Sequence, residues 1–423
     1  MFSAAKSAVL KALLPAPLED GARRRSHLFN FAVQLWIAMA VAVSVKCVVS
    51  PRFHTNYPHF EYGATQWLAE EDMYAVQEVD RVPLDYRYGP AFAVAMVPLA
   101  ALPSWLGGIV FSGLNVAAFF LAMRALPGRV LPGRWTPQRE AVWLILVLAA
   151  SFRMFWAVQS SPLVLAMVVF GAIAARDRRF WLAAVLLAIP VHIKIWPVAA
   201  AMLLAACWPR QLLGRLAVGL TAVGLIPFLT KPFSVVCFQY HAWYAALAGR
   251  MQFRHLYYDA WTIWEMIHEP VSKTCYLLLQ LSTALLVLAL VLRQRRQGSD
   301  PRHLLTFLLA LWTAWQMLFG PGTERNTFGV IAPLTSWALI TALEARRGRA
   351  WMIPAFVLTT VLANGNVERT LAPWFPVVTA THPLGVLLFS VWVVRYAGRC
   401  DEGRSAAPVV REFPRHERFA AAG

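Results

Sequence analysis

The sequence predicts an all-α polytopic membrane protein, a bundle of about twelve transmembrane helices with outer loops and short interfacial helices. Three observations predict it. Of the 423 residues, 59% are hydrophobic and only 14% are charged, more apolar surface than a soluble fold of this length can cover. Apolar runs of about 15–22 residues recur through the whole length, which excludes a soluble domain on one anchor. Basic residues gather in short clusters between those runs, the pattern of cytoplasmic loops under the positive-inside bias.

Taken in order, residues 1–28 read as a cytoplasmic N-terminal segment, with 1–22 suited to an amphipathic surface helix. The transmembrane domain occupies 29–400, and 401–423 form a polar cytoplasmic tail expected to be disordered. Residues 29–49 are too long for the apolar core of a signal peptide and read as a retained first span. Further spans are expected at 88–124, 140–157, 161–175, 179–192, 194–207, 211–230, 274–293, 303–319, 326–344, 350–364 and 383–397. Basic clusters at 23–25, 124–139, 176–179, 210–215, 293–302, 346–349 and 395–404 then share one face if both termini are cytoplasmic. Residues 88–124 exceed one straight crossing and contain Pro98 and Pro103, so a span plus a half-inserted piece and a hairpin both stay open.

The formal charge of +17 does not imply nucleic acid, because the arginines sit in loops between spans. Cys47, Cys207, Cys237, Cys275 and Cys400 lack CxxC or ligand spacing, which argues against a disulfide framework or metal cluster.

Chemistry is expected on the outer face, where the long loops 51–88 and 231–273 lie. Residues 51–88 hold seven acidic residues against three arginines, in a chain that is otherwise basic. Glu61 and Asp85 are the carboxylates of interest there, and Tyr86, Arg87 and Tyr88 supply polar aromatic and cationic contacts. Phe60, Ala64, Trp67 and Leu68 have helical spacing, so a short interfacial helix is expected between Phe60 and Tyr74. In the second loop, Arg254 and His255 stand beside Tyr257, Tyr258, Asp259 and Trp261; cations among aromatics suit a lipid phosphate with a sugar stacked nearby. The turn GPGTERNT sets Glu324 at the mouth of the bundle, on a shorter tether than the long loops give. Lys194, within VHIKIWP, is costly in an apolar run unless it faces a cavity or reaches the surface. Gln159, beside Ser160 and Ser161, is a polar break that serves either a ligand or helix ends.

These residues resemble the polyprenol-phosphate-dependent membrane glycosyltransferases of the GT-C superfold, specifically glycosyltransferase family 87, which includes mycobacterial mannosyltransferases. The resemblance is carried by TNYPHFEYGATQWLAEEDMY, YRYGPAFAVAMVPLAALP, AVQSSPLVLA and IKIWP, in order over about residues 50–200. It implies transfer of a mannose-like hexose from a polyprenyl-phosphate donor to a lipid or cell-envelope glycan, at the periplasmic face of a bacterial inner membrane. It also implies a catalytic carboxylate in the first outer loop, and here the chain departs: the position reads Asn56, whose amide cannot serve as a base. Either Glu61 takes the role in a shifted register, or Glu324 or Asp85 has replaced it, or the protein is not catalytic; Glu324 is favoured. Lys194, Arg254 and His255 are expected to stabilise the leaving phosphate, with Gln159, Asp259, Tyr86, Arg87 and Tyr88 contacting substrate. No DxD pair occurs in the loops, so metal independence is expected. A non-catalytic binder or transporter of lipid-linked saccharides is the alternative. An O-antigen-ligase-like enzyme should have a more arginine-rich long loop, and an ion-coupled transporter should have paired intramembrane acids.

Overall fold

The computed structural model describes residues 27–52, 55–79, 82–248, 257–266, 272–320, 322–362, 367 and 370–396. Residues 1–26 of the N-terminal segment and the C-terminal tail lie outside these, as do Arg254 and His255.

Helix α1 (His27–Val49) buries Ala32, Trp36, Met39, Val43 and Cys47 on one stripe and leaves Ile37, Val41 and Val45 outward, as expected of a lipid-facing span. Its one buried charge, Lys46, donates to the Trp156 carbonyl at 2.5 Å and lies over the Trp156 ring, so the ammonium satisfies a helix C-terminus. Next come α2 (Tyr57–Ala69) and a two-stranded hairpin of β1 (Gln77–Val79) and β2 (Val82–Leu84). Then follow α3 (Pro90–Ala100), α4 (Ser104–Arg129), α5 (Pro137–Trp156), α6 (Ser161–Arg176), α7 (Phe180–Ile193) and α8 (Pro197–Cys207). A π turn at Pro209–Leu213 leads into α9 (Gly214–Leu225), which ends in a 3-10 turn. Helices α10 (Phe233–Ala248), α11 (Ala260–Met266), α12 (Lys273–Arg296) and α13 (Pro301–Phe319) precede a 3-10 turn at Arg325–Val330. The described chain closes with α14 (Ala332–Ala345), α15 (Arg349–Phe356) and α16 (Thr381–Tyr396).

Helices α1, α4, α5, α6, α7 and α9 pack in one group, and α13 to α16 in another; α5 touches both through the 3-10 turn and α14. The apolar α9 and α12 are poorly covered by protein, as lipid-facing helices should be. This is an all-α, multi-pass membrane architecture.

Several expectations need correction. Among the described residues five helices are long and apolar enough to cross a membrane: His27–Val49, Ser104–Arg129, Pro209–Leu229, Lys273–Arg296 and Val377–Tyr396. The expected 161–175, 179–192 and 194–207 are present as helices Ser161–Arg176, Phe180–Ile193 and Pro197–Cys207, apolar but shorter than those five. They bury many apolar residues against other helices but leave Trp181, Val185 and Met202 outward. Residues 88–124 are two helices, α3 and α4, broken at Ala101–Pro103, where proline denies the backbone a helical donor. Within 231–273 the described residues hold two helices, α10 and α11, and α10 runs through Phe233–Ala248 without a proline or glycine to stop it. The first-loop helix spans Tyr57–Ala69 rather than Phe60 to Tyr74, because Glu70 ends it in a left-handed conformation (φ 63°). Phe60, Ala64 and Trp67 face inward as their spacing required, but Leu68 points out.

Candidate functional site

A polar cluster forms at one rim, where five chain segments meet. The first is 56–59 with α2, the second 85–89 after the hairpin. The third is the α5–α6 connection, the fourth the end of α7 at Lys194, and the fifth the turn before Arg325.

Proline sets the start of α2, α3 and α6, each with Pro in the first turn, where the missing N–H costs nothing. Between α5 and α6, Val158 adopts φ 49°, a conformation that a β-branched side chain resists. That turn delivers Gln159 into the cluster. The Asn56 N–H donates to the Ala157 carbonyl at 2.8 Å, which ties the first outer segment to the same connection.

Glu324 is the meeting point. One carboxylate oxygen lies 3.6 Å from Arg87 Nη1, and the other accepts from Gln159 Nε2 at 3.5 Å. Gln159 Oε1 in turn accepts from Lys194 Nζ at 3.1 Å and from Ser161 Oγ at 2.9 Å, and Lys194 also donates to Ser161 Oγ at 2.9 Å. The Lys194 ammonium sits 5.7 Å from the centre of the Tyr88 ring. A base candidate and a cation are thus joined through one glutamine.

Asp85 is differently placed. The Arg87 guanidinium grips it through Nε and Nη2, and His59 Nδ1 lies 3.4 Å from its other oxygen. Burial works against the Arg87 charge, yet Asp85 and Glu324 outweigh it and hold the guanidinium pKa above its ordinary value. Asp85 therefore anchors Arg87.

His59 is a residue that sequence reasoning missed. Its signal was spacing: it follows Asn56 by three residues, one helical turn, and its N–H donates to the Asn56 carbonyl at 3.2 Å. Burial, partly offset by Asp85, pushes its pKa below the ordinary 6.5, and its Nδ1 accepts from the Asp85 backbone N–H at 3.2 Å. A neutral imidazole follows. Because the unfolded chain binds this proton more readily, the stabilisation is present above pH 6.5 and is lost as pH falls from 6.5 toward the lowered folded value. His59→Gln is expected to flatten part of the acid-side decline in melting temperature, and identical pH slopes in variant and wild type would refute this.

Not every expected residue belongs to the cluster. Glu61 accepts from Ser104 Oγ at 2.6 Å, at the head of α4. Tyr86 is fully buried, packs its ring on Gly63 and donates to the Gly89 carbonyl at 3.0 Å. Asp259 is buried and accepts from the Trp261 N–H at 3.0 Å, capping α11. Its neighbour Tyr258 donates its N–H to the Thr323 carbonyl at 2.8 Å and lies under the Arg325 guanidinium, 4.4 Å from the ring centre. His382 approaches Tyr258 at 5.0 Å and Phe328 at 4.4 Å. The part of His382 in this aromatic patch was also not foreseen, because α16 supplies it from far along the chain.

Fold and site together define a multi-pass membrane protein whose carboxylate, cations and amide meet at a bundle rim. A model of glycosyltransferase family 87 matches residues 86–321, more than half of the chain, and the protein belongs to that family. A stretch of 113 residues is 33% identical to GPI mannosyltransferase 1 of Gibberella zeae, covering 26% of each protein. The chain thus spans about a quarter of the length of the curated relative it matches. The family match includes Arg87, Tyr88, Gln159 and Lys194 and stops at 321, just short of Glu324.

Proposed function

We propose that this protein is a membrane glycosyltransferase that moves a mannose-like hexose from a polyprenyl-phosphate donor to a lipid or cell-envelope glycan acceptor. The observation that carries the reading is the chain Glu324–Gln159–Lys194, which sets a carboxylate and an ammonium on one amide inside a family of glycosyltransferases. Glu324 takes the proton of an acceptor hydroxyl, and the oxygen attacks the anomeric carbon. The bond from that carbon to the phosphate oxygen breaks, and the electron pair leaves with the phosphate. Lys194 faces the charge that develops there. Arg87 holds Glu324 in position from its Asp85 anchor. Arg254 and His255 are proposed to assist at the phosphate, and Asp259 to contact substrate through its segment.

The basic clusters support cytoplasmic termini and a site on the periplasmic face of a bacterial inner membrane. Asn56 favours a second reading, a lipid-linked-saccharide binder or transporter, since an amide stands where the family resemblance implies a base. Radiolabelled polyprenyl-phosphate mannose, given to the purified protein in liposomes with extracted glycolipid, separates the two. Label is expected in the glycolipid; label that crosses the bilayer unchanged would refute transfer. Metal independence is part of the proposal: both oxygens of Asp85 and both of Glu324 already face His59, Arg87 or Gln159. Transfer is expected to persist undiminished in excess EDTA, and its loss with recovery on adding Mg²⁺ or Mn²⁺ would overturn this point.

A further inference from the structure

The rim end of α6 holds polar groups that proton transfer at Glu324 does not use. Helix α6 spans sixteen residues, and its first turn contains Pro162, which has no N–H. The Leu163 N–H donates to Asn115 Oδ1 at 3.1 Å. Ser160, at the N-cap, makes no capping bond; its hydroxyl is fully buried and has no hydrogen-bond partner. A buried hydroxyl left unbonded is costly and is rarely kept without a use. Ser161 Oγ, also buried, receives Lys194 Nζ at 2.9 Å, and Lys194 itself is only half-buried. The positive end of the α6 dipole, an ammonium and two hydroxyls thus share one place. Glu324 stands on the far side of Gln159, accepting from its Nε2 at 3.5 Å.

The geometry points to the N-terminus of α6, with Ser160, Ser161 and Lys194, as the seat of the donor's phosphoryl group, an assignment that rests on the transfer reading above. As the bond to the anomeric carbon breaks, the phosphate keeps the bridging oxygen and its electron pair, and its charge rises. Ser160 then donates to a phosphate oxygen, and the helix terminus and Lys194 oppose the added charge. A phosphate ester of a lipid and free phosphate share this chemistry, so the test separates them.

Binding of farnesyl phosphate, farnesol and inorganic phosphate to the full chain in nanodiscs tests the seat. Wild-type protein is expected to prefer farnesyl phosphate over farnesol by about tenfold or more. Ser160→Ala and Lys194→Gln should each lower that preference at least about fivefold with farnesol binding unchanged. Competition by inorganic phosphate supports recognition of the phosphoryl group alone. Its failure to compete, with the variants still impaired, supports recognition of a lipid-borne phosphate. A preference unmoved in both folded variants overturns the seat. If wild-type protein transfers no sugar but the variants still lose the preference, the transfer reading falls and the seat stands. If transfer is intact and the preference unmoved, the seat alone falls.

Discussion

Replacing Glu324 by Gln is expected to lower sugar transfer by about three orders of magnitude, the contribution of a well-placed general base, while the bundle stays folded. Glutamine keeps the size of the side chain and an oxygen to accept from Gln159, so the link to Lys194 survives. It cannot take a proton. Arg87 loses one carboxylate but keeps Asp85, its tighter partner, so the rim retains its cation pairing. Glu61→Gln is the comparison, because Glu61 is occupied by Ser104 and is expected to leave turnover near the wild-type value. Initial rates with labelled donor, alongside melting curves, give the answer. Turnover in Glu324→Gln within about tenfold of wild type would remove Glu324 from the mechanism.

Much of the rim was legible in the sequence for one physical reason. Arg87, Gln159, Lys194 and Glu324 are polar or charged residues at the ends of apolar runs, where burial without partners is too costly to persist. The structure brings these four together. What the sequence concealed is which acid pairs with which cation. Asp85 and Glu324 look equivalent as carboxylates, and only the approach of His59 and Arg87 commits Asp85 to anchoring. Tyr86 looked like a ligand contact beside Tyr88, and the two rings do lie 5.5 Å apart, but Tyr86 packs on Gly63 inside the protein while Tyr88 reaches Lys194. Helix α10 was readable in principle, since nothing between Phe233 and Ala248 breaks a helix. Its aromatic residues resembled an interfacial girdle instead. Helices α6, α7 and α8 were legible almost to their ends, because a proline or a basic cluster interrupts the apolar run at each boundary.

Gly89→Ala is expected to reduce transfer by about a hundredfold, the order of loss that follows a displacement of about 1 Å at a reacting centre. Gly89 has ordinary extended dihedrals, φ −67° and ψ 153°, so alanine meets no backbone strain there. Space is the obstacle. An added Cβ would lie 2.4 Å from the His192 carbonyl oxygen and 3.4 Å from the Trp243 ring. The first of these is backbone, which cannot rotate away as a side-chain tip can. His192 lies two residues before Lys194, and Gly89 lies two residues after Arg87. The contact therefore joins the segment that carries Arg87 to the helix end that carries Lys194. Forcing it apart separates the group that positions Glu324 from the group that faces the phosphate, though each stays tied to its own element. Gly113→Ala is the control, since nothing lies within 4 Å of its added Cβ. Both variants should remain in membranes with similar melting temperatures, and only Gly89→Ala should lose turnover. Equal activity in the two would mean that the approach of these segments is not needed for transfer.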